Sequence, residues 1–201
     1  MDEITLSILL LGDSSVGKTS LMIRFTDQKF EENSSATVGI EFKNKEIQIN
    51  DKTINLHILD TAGQEKFRAV VTNFIRKGDG MIFTFDLSNE ESFENIKTWL
   101  ITADGVKEDY QRILVGNKSD LPDKKINKEK AEKLGQRYNM KYFETSAKDG
   151  KNVDVIFKEI AELILSSPKG KKIEEEVKKR NENIRIKSNE SKKNKKCYCK
   201  N

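Results

Sequence analysis

The 201-residue sequence predicts an α/β fold: a mostly parallel six-stranded sheet with one antiparallel hairpin strand and helices on both faces. Three observations predict it. Short apolar runs alternate with amphipathic segments, the pattern of strands joined by crossover helices. One pair of runs is separated only by Asn50-Asp51, a hairpin signal. The polar motifs that carry chemistry each follow the carboxyl end of an apolar run, which is where open α/β sheets bind ligands.

Each element follows from its residues in order. Ile4–Leu11 is a nearly unbroken apolar run and reads as a strand buried on both faces. Lys18–Phe25 reads as a helix. Glu41–Ile49 and Thr53–Leu59 are the two arms of the hairpin. Met81–Asp86 is a strand, and Glu91–Ala103 a helix with Trp99 on its apolar face. Ile113–Gly116 is a strand and Asn127–Tyr138 a helix. Lys141–Glu144 is a short strand. Asn152–Leu165 is a strongly amphipathic helix, with Val153, Ile156, Phe157, Ile160, Leu163 and Ile164 on one side. From Pro168 the chain turns polar and lysine-rich. It lacks the apolar residues needed to pack, so the reading is a domain over 1–167 and a disordered basic tail over 168–201.

Charge supports that division. Residues 168–201 hold thirteen Lys/Arg against five Asp/Glu, a net of +8; the whole chain is +4, which leaves −4 for residues 1–167. An acidic domain therefore carries a basic tail. Aromatic residues make up only 7% of the chain, and with the acidic domain this argues against a nucleic-acid partner. No apolar run approaches the ~20 residues that span a bilayer, and the opening MDEITLS is acidic and too short for a signal peptide. The two cysteines, Cys197 and Cys199, both lie at the end of the chain, so no disulfide framework is expected and a reducing, intracellular setting is.

Gly12-Asp13-Ser14-Ser15-Val16-Gly17-Lys18-Thr19 has the spacing G-x4-G-K-[ST], after a strand and at the start of a helix. Its glycines let the chain turn tightly, so that the backbone N–H groups of Ser14, Ser15, Val16, Gly17, Lys18, Thr19 and Ser20 converge on phosphate oxygens. The helix N-terminus adds favourable partial charge. Lys18 would bridge the β- and γ-phosphates, and the Thr19 hydroxyl would bind Mg²⁺. This loop places the fold among the P-loop NTPases. A plainer strand–helix turn with a surface lysine fits the spacing less well.

Asp60 ends the strand TINLHILD and opens Asp60-Thr61-Ala62-Gly63-Gln64-Glu65. A carboxylate beside the phosphate loop suits an outer-shell Mg²⁺ partner; its plainer reading is a helix cap. Gly63 would let the backbone approach the γ-phosphate, and Gln64 would orient the attacking water. Asn117-Lys118-Ser119-Asp120 follows the strand RILVG and reads a purine. Asp120 accepts from guanine N1–H and the 2-amino group, whereas adenine presents the wrong donors. A site with a buried unpaired acceptor discriminates by roughly 10⁴ or more. Lys118 would lie over the base plane, and Asn117 would tie this loop to the phosphate loop. As a lone tetrapeptide NKSD is also an ordinary turn.

Thr145-Ser146-Ala147-Lys148 follows the strand KYFE. The Ala147 N–H would donate to guanine O6, with Ser146 and Lys148 beside it, although the stretch also reads as a common loop. Thr37 would complete the Mg²⁺ shell while the γ-phosphate is present, and Phe30 would cover the base edge. Their plainer readings are a strand-opening residue and a satellite core aromatic. His57, the one histidine, lies mid-strand and reads as structural.

These motifs, in this order, resemble the small Ras-like GTPases over about Ile4 to Leu165. Within them the chain looks most like the Rab branch, on Thr37–Phe42 (TVGIEF), Gln64–Arg68 (QEKFR) and the terminal Cys-x-Cys. It departs from that branch in having Leu59 where tryptophan is usual, Phe74-Ile75 for the paired tyrosines, and MIFTF before DLSN. Aromatics at the positions of Phe42, Leu59 and Phe74 form an effector-facing surface in the branch, so these departures bear on effector identity and not on nucleotide chemistry.

The resemblance implies Mg²⁺-dependent hydrolysis of GTP to GDP, slow by itself. No arginine occurs between Phe30 and Phe42, so acceleration of roughly 10³- to 10⁵-fold is expected from a partner that supplies the charge. Thr37 and Gly63 would hold two loops on the γ-phosphate and release them on hydrolysis. The implied partners are an exchange factor, a GTPase-activating protein, a GDP-dissociation inhibitor, an escort protein for lipidation, and effectors reading Thr37–Phe42 and Leu59–Phe74. The protein is expected to be a monomer.

A C-a-a-X box would need cysteine at position 198, which is Tyr198, so that box is absent. The resemblance instead implies geranylgeranylation of Cys197 and Cys199, beside the basic cluster Lys192–Lys196. The plainer reading is a solvated tail with incidental cysteines. The implied location is the cytoplasmic face of intracellular membranes, cycling with cytosol, and the implied role is a switch in vesicle trafficking. Two alternatives remain at this point: a Ras- or Rho-like signalling GTPase, disfavoured by the missing C-a-a-X box, and a nucleotide-dependent scaffold with little hydrolysis, disfavoured by Gln64.

Overall fold

The computed structural model describes residues 4–31, 39–61 and 68–179. Six strands form one sheet: β1 (Ile4–Leu11), β2 (Ile40–Ile49), β3 (Lys52–Thr61), β4 (Gly80–Asp86), β5 (Gln111–Asn117) and β6 (Lys141–Glu144). Their order across the sheet is β2-β3-β1-β4-β5-β6. Only β2 and β3 pair antiparallel, as the Asn50-Asp51 signal predicts. Both turn residues take positive φ, 48° and 62°, which is the geometry a two-residue hairpin needs to match the strand twist. All other pairings are parallel.

The helices are α1 (Lys18–Asp27), α2 (Arg68–Ile75), α3 (Glu90–Glu94), α4 (Ile96–Asp104), α5 (Lys128–Arg137), α6 (Val153–Ser166) and α7 (168–179). The period-2 alternation of the strands divides the interior into two cores. Ile4, Leu6, Ile8 and Leu10 of β1 face α1 and α6, where Phe25 and Phe157 stack with ring centroids 4.1 Å apart. Leu9 and Leu11 face the other layer, with Phe83 and Phe85 of β4, Trp99 of α4 and Leu134 of α5. The doubly covered sheet is the expected one, and its central strands β1 and β4 are buried because both faces are occupied there.

Three elements differ from the sequence expectation. α2 falls in RAVVTNFI, which is not among the expected elements; Val71 and Ile75, one helical turn apart, are fully buried, so packing on the sheet holds it. The expected single helix Glu91–Ala103 is two segments that meet at Asn95, whose backbone stays right-handed helical and whose side-chain amide bonds Asp13. The expected unpacked tail does not begin at Pro168: residues 168–179 form α7. Ser167 caps it by accepting from Gly170 N–H at 3.1 Å, and Pro168 takes the first position, where its missing N–H costs nothing. Ile173 and Val177 pack on the first core. Lys52 of β3 reaches Glu174 at 2.7 Å, and Lys169 reaches Asp79 at 2.5 Å. Two apolar residues four apart suffice to dock a helix that is otherwise charged. Among the described residues no helix is long and apolar enough to cross a membrane.

Candidate active site

The parallel registers bring the carboxyl ends of β1, β3, β4 and β5 into line: Leu10 lies opposite Asp60, Leu11 opposite Phe83, and Asp86 opposite Asn117. The loops that leave these ends meet on one rim of the sheet. Residues 12–17 form the first. Positive φ at Gly12 (146°), Ser15 (62°) and Gly17 (95°) folds it back on itself before α1 begins. Gly17 leads straight into Lys18, so the helix N-terminus opens on the loop. A side chain at Gly12 would strike the Thr84 carbonyl oxygen, 2.1 Å from the Cβ position. The concave, glycine-bounded backbone suits an anion cradle.

Lys18 is 5% exposed, and its ammonium donates to the carbonyls of Gly12 at 2.9 Å and Asp13 at 2.6 Å. Burial pulls its pKa down to about 8, against the opposing pull of Asp60 and Asp13. Beside it the Thr19 hydroxyl donates to Asp60 Oδ2 at 2.5 Å, and Asp60 is fully buried at the end of β3. A threonine hydroxyl and a carboxylate are hard oxygen donors, and the pair fits a Mg²⁺ ion. The neighbouring Thr61 hydroxyl bonds the Leu10 carbonyl at 2.8 Å, fixing the strand end that carries Asp60.

Asn117, 1% exposed, is the hub of the second side of the rim. Its amide donates to the Val16 carbonyl at 2.9 Å, and its Oδ1 accepts from the Thr145 hydroxyl at 3.1 Å. One side chain thus joins the phosphate loop and the β5 loop, and adds the β6 loop, which the motif alone does not name. Ser146 Oγ donates to Asp120 Oδ1 at 2.7 Å, and the backbones of Ser119 and Thr145 bond at 2.9 Å. Ala147 is buried beside them and Lys148 exposed. Lys118 takes positive φ of 63°, and its ammonium pairs with Asp86 at 2.7 Å. The Asp86 carboxylate in turn accepts from the backbone and hydroxyl of Ser88 at 2.8 and 2.7 Å. Ser14 and Ser15 are exposed at the rim, and Val16 is buried below it. Ser20 follows in the first turn of α1. Phe30 is half-buried against the first core.

Three candidates of the sequence, Thr37, Gly63 and Gln64, lie outside the described residues, as do Cys197 and Cys199. The structure adds residues that the motifs do not name. Asp13 accepts from Trp99 Nε1 at 2.8 Å and from Asn95 Nδ2 at 2.7 Å, so the phosphate loop is pinned to α4 and to the residue before it. A buried indole N–H needs an acceptor; that rule was the available signal, and the apolar face of the helix concealed it. Phe42 is 65% exposed on β2, with the His57 ring 5.4 Å away, and Leu59, its partner across the ladder, is 6% exposed.

Comparison with known proteins agrees with this geometry. The Ras family model matches residues 7–166. Rab-13 of Bos taurus is 40% identical over 168 residues, 83% of each chain. Rab-10 of Diplobatis ommata is 41% identical over 165 residues, 81% of this chain and 82% of that one, and human Rab-8B is 42% identical over 161 residues, 79% and 78%. The chain belongs to the Ras family, as a divergent Rab-type small GTPase. It binds GTP and GDP, hydrolyses GTP, and acts as a switch in vesicle trafficking whose state is set by regulators and read by effectors.

Proposed function

We propose that the rim holds Mg²⁺-GTP with the phosphates in the 12–17 loop and the guanine against 117–120 and 145–148. The observation that carries this reading is the Asn117 side chain, which ties Val16 of one loop to Thr145 of the other. Asp120 accepts from the base N1–H and 2-amino group, the Ala147 N–H donates to O6, Lys118 flanks the base plane, and Phe30 covers its edge. Thr19, Thr37 and Asp60 hold the Mg²⁺, which when bound neutralises charge on the β- and γ-phosphates.

The chain's own residues do the rest. Gln64 orients a water in line with the γ-phosphorus. Its oxygen–phosphorus bond forms as the bond to the β,γ-bridging oxygen breaks, and the water's proton leaves with the phosphate. Lys18 offsets the negative charge that gathers on the leaving oxygen, and Gly63 brings its backbone N–H to the γ-phosphate. Loss of that phosphate frees Thr37 and Gly63, which is the switch. An exchange factor, a GTPase-activating protein and a GDP-dissociation inhibitor set the state, and effectors read Thr37–Phe42 and Leu59–Phe74. An escort-dependent enzyme geranylgeranylates Cys197 and Cys199. Two lipids beside Lys192–Lys196 hold the monomer on the cytoplasmic face of intracellular membranes between cycles in the cytosol.

Single-turnover phosphate release tests the catalytic assignment. Gln64→Leu is expected to slow hydrolysis of bound GTP roughly tenfold or more while GTP still binds, because correct placement of the water is what the side chain contributes. An unchanged rate would remove Gln64 from the mechanism.

A further inference from the structure

Arg24 lies on α1, six residues after Lys18, and no nucleotide-binding motif includes it. Its guanidinium nevertheless reaches the far side of the rim. Nε donates to the Ala147 carbonyl at 2.7 Å and Nη2 to the Lys148 carbonyl at 2.6 Å, across more than a hundred residues of sequence. Nη1 donates to the Gln28 carbonyl at 3.2 Å, and Gln28 is the left-handed residue that ends α1, its own N–H returning to the Arg24 carbonyl. The guanidinium carbon stands 5.9 Å from the centroid of the Phe30 ring. Three donors of one rigid fork are therefore placed on main-chain carbonyls, a use to which lysine's single ammonium is ill suited.

The contacts have a common location. Ala147 and Lys148 belong to the loop that follows β6, and Phe30 follows α1. The 145–148 loop has a second anchor on its other side, where Ser146 bonds Asp120 and accepts from Asp149 N–H at 3.0 Å. The Ala147 amide lies between the two anchors. One holds it to the loop that reads the base's N1 edge; the other, Arg24, holds it to the helix that starts at the phosphates. α1 is 10 residues long, so at 1.5 Å per residue it spans about 15 Å, enough to run from a phosphate group to a purine.

We propose that Arg24 is a positioning residue for guanine: its fork fixes the 145–148 loop and Phe30 on the end of α1, and so sets how well the Ala147 N–H meets the purine 6-oxo group. This rests on the proposed assignment of Ala147 N–H to O6. Arg24 touches no nucleotide atom in this account. It acts through the loop, and its effect depends on which atom the base presents at position 6.

Competition against a fluorescent GDP, with GDP, IDP and 6-thio-GDP as competitors, tests this on the full chain. IDP keeps the 6-oxo group and lacks the 2-amino group; 6-thio-GDP keeps N1–H and the 2-amino group but offers sulfur, a weak acceptor. Arg24→Gln is expected to weaken GDP and IDP about tenfold each and 6-thio-GDP no more than about threefold. Arg24→Lys is expected to fall between the wild type and Arg24→Gln, and it carries the test if the glutamine variant does not fold. Equal losses for all three nucleotides, or none, would overturn the proposal, since a general loosening cannot depend on the atom at position 6. A wild type that binds GDP and 6-thio-GDP alike would instead refute the underlying assignment of Ala147 to O6.

Discussion

Gly17 has almost no room for change. Its φ of +95° is strained for any residue with a side chain, and a Cβ there would stand 2.3 Å from Asn117 Nδ2. Gly17→Ala must therefore either distort the phosphate loop or push Asn117 off the Val16 carbonyl. Strain of this kind costs about 1–3 kcal/mol, and a buried group left unpaired about as much again. GDP affinity should fall at least about thirtyfold, corresponding to roughly 2 kcal/mol, as read by titration with fluorescent GDP; affinity within threefold of wild type would contradict the packing described. Most of this residue-level chemistry is legible in the sequence, because the spacing G-x4-G-K-T and the tetrapeptide NKSD fix which groups must converge. The partners supplied by other elements are not legible. Asp13 meets Asn95 and Trp99 because the fold lays the helical turn that carries both beside the phosphate loop. Lys118 shows the same limit: the motif places it by the base, but only the fold brings Asp86 within 2.7 Å of its ammonium.

At the level of elements the strands are legible where apolar runs are continuous, and β1 and β6 carry the very limits that their residues predict. The helices are less so. α2 is short, with Val71, Phe74 and Ile75 on one face as its main signal, and α7 hides two docking residues among lysines and glutamates. α7 also offers a test. Ile173 packs on the first core while Glu174 beside it pairs with Lys52 at the hairpin. Ile173→Asp removes a partly buried apolar side chain and puts a charge against the core, a change worth about 1–2 kcal/mol when the helix is free to lift away. For a chain of this size that lowers Tm by roughly 2–8 °C. Amide exchange should quicken along 168–179 and stay slow in α6. Unchanged protection of those amides would mean that the docking contacts do not hold the helix.

Across the whole molecule, two cores lie on either side of one sheet, and of the rim's 12–17, 117–120 and 145–148 loops only the last reaches a core, through Ala147. They are held by single side chains: Asn117 between the phosphate and β6 loops, Ser146 on Asp120, Trp99 on Asp13, Arg24 on the Ala147 carbonyl. A ligand that touches all of these loops at once adds its binding energy to the stability of the fold. At a thousand times its dissociation constant that amounts to about 4 kcal/mol, or roughly 8–16 °C in Tm for a chain of this length. Stripping the nucleotide with a phosphatase and a Mg²⁺ chelator should therefore lower Tm by that amount. Adding GDP with Mg²⁺ should restore it, and ADP at the same concentration should not, because in the proposed site Asp120 meets the wrong groups on adenine. Chelation with GDP still present should give an intermediate Tm, since the Thr19–Asp60 pair then loses the ion proposed to link it to the phosphates. A melting curve indifferent to the base would refute the guanine site, and one indifferent to chelation would refute the Mg²⁺ assignment. The two halves of the rim are thus tested separately.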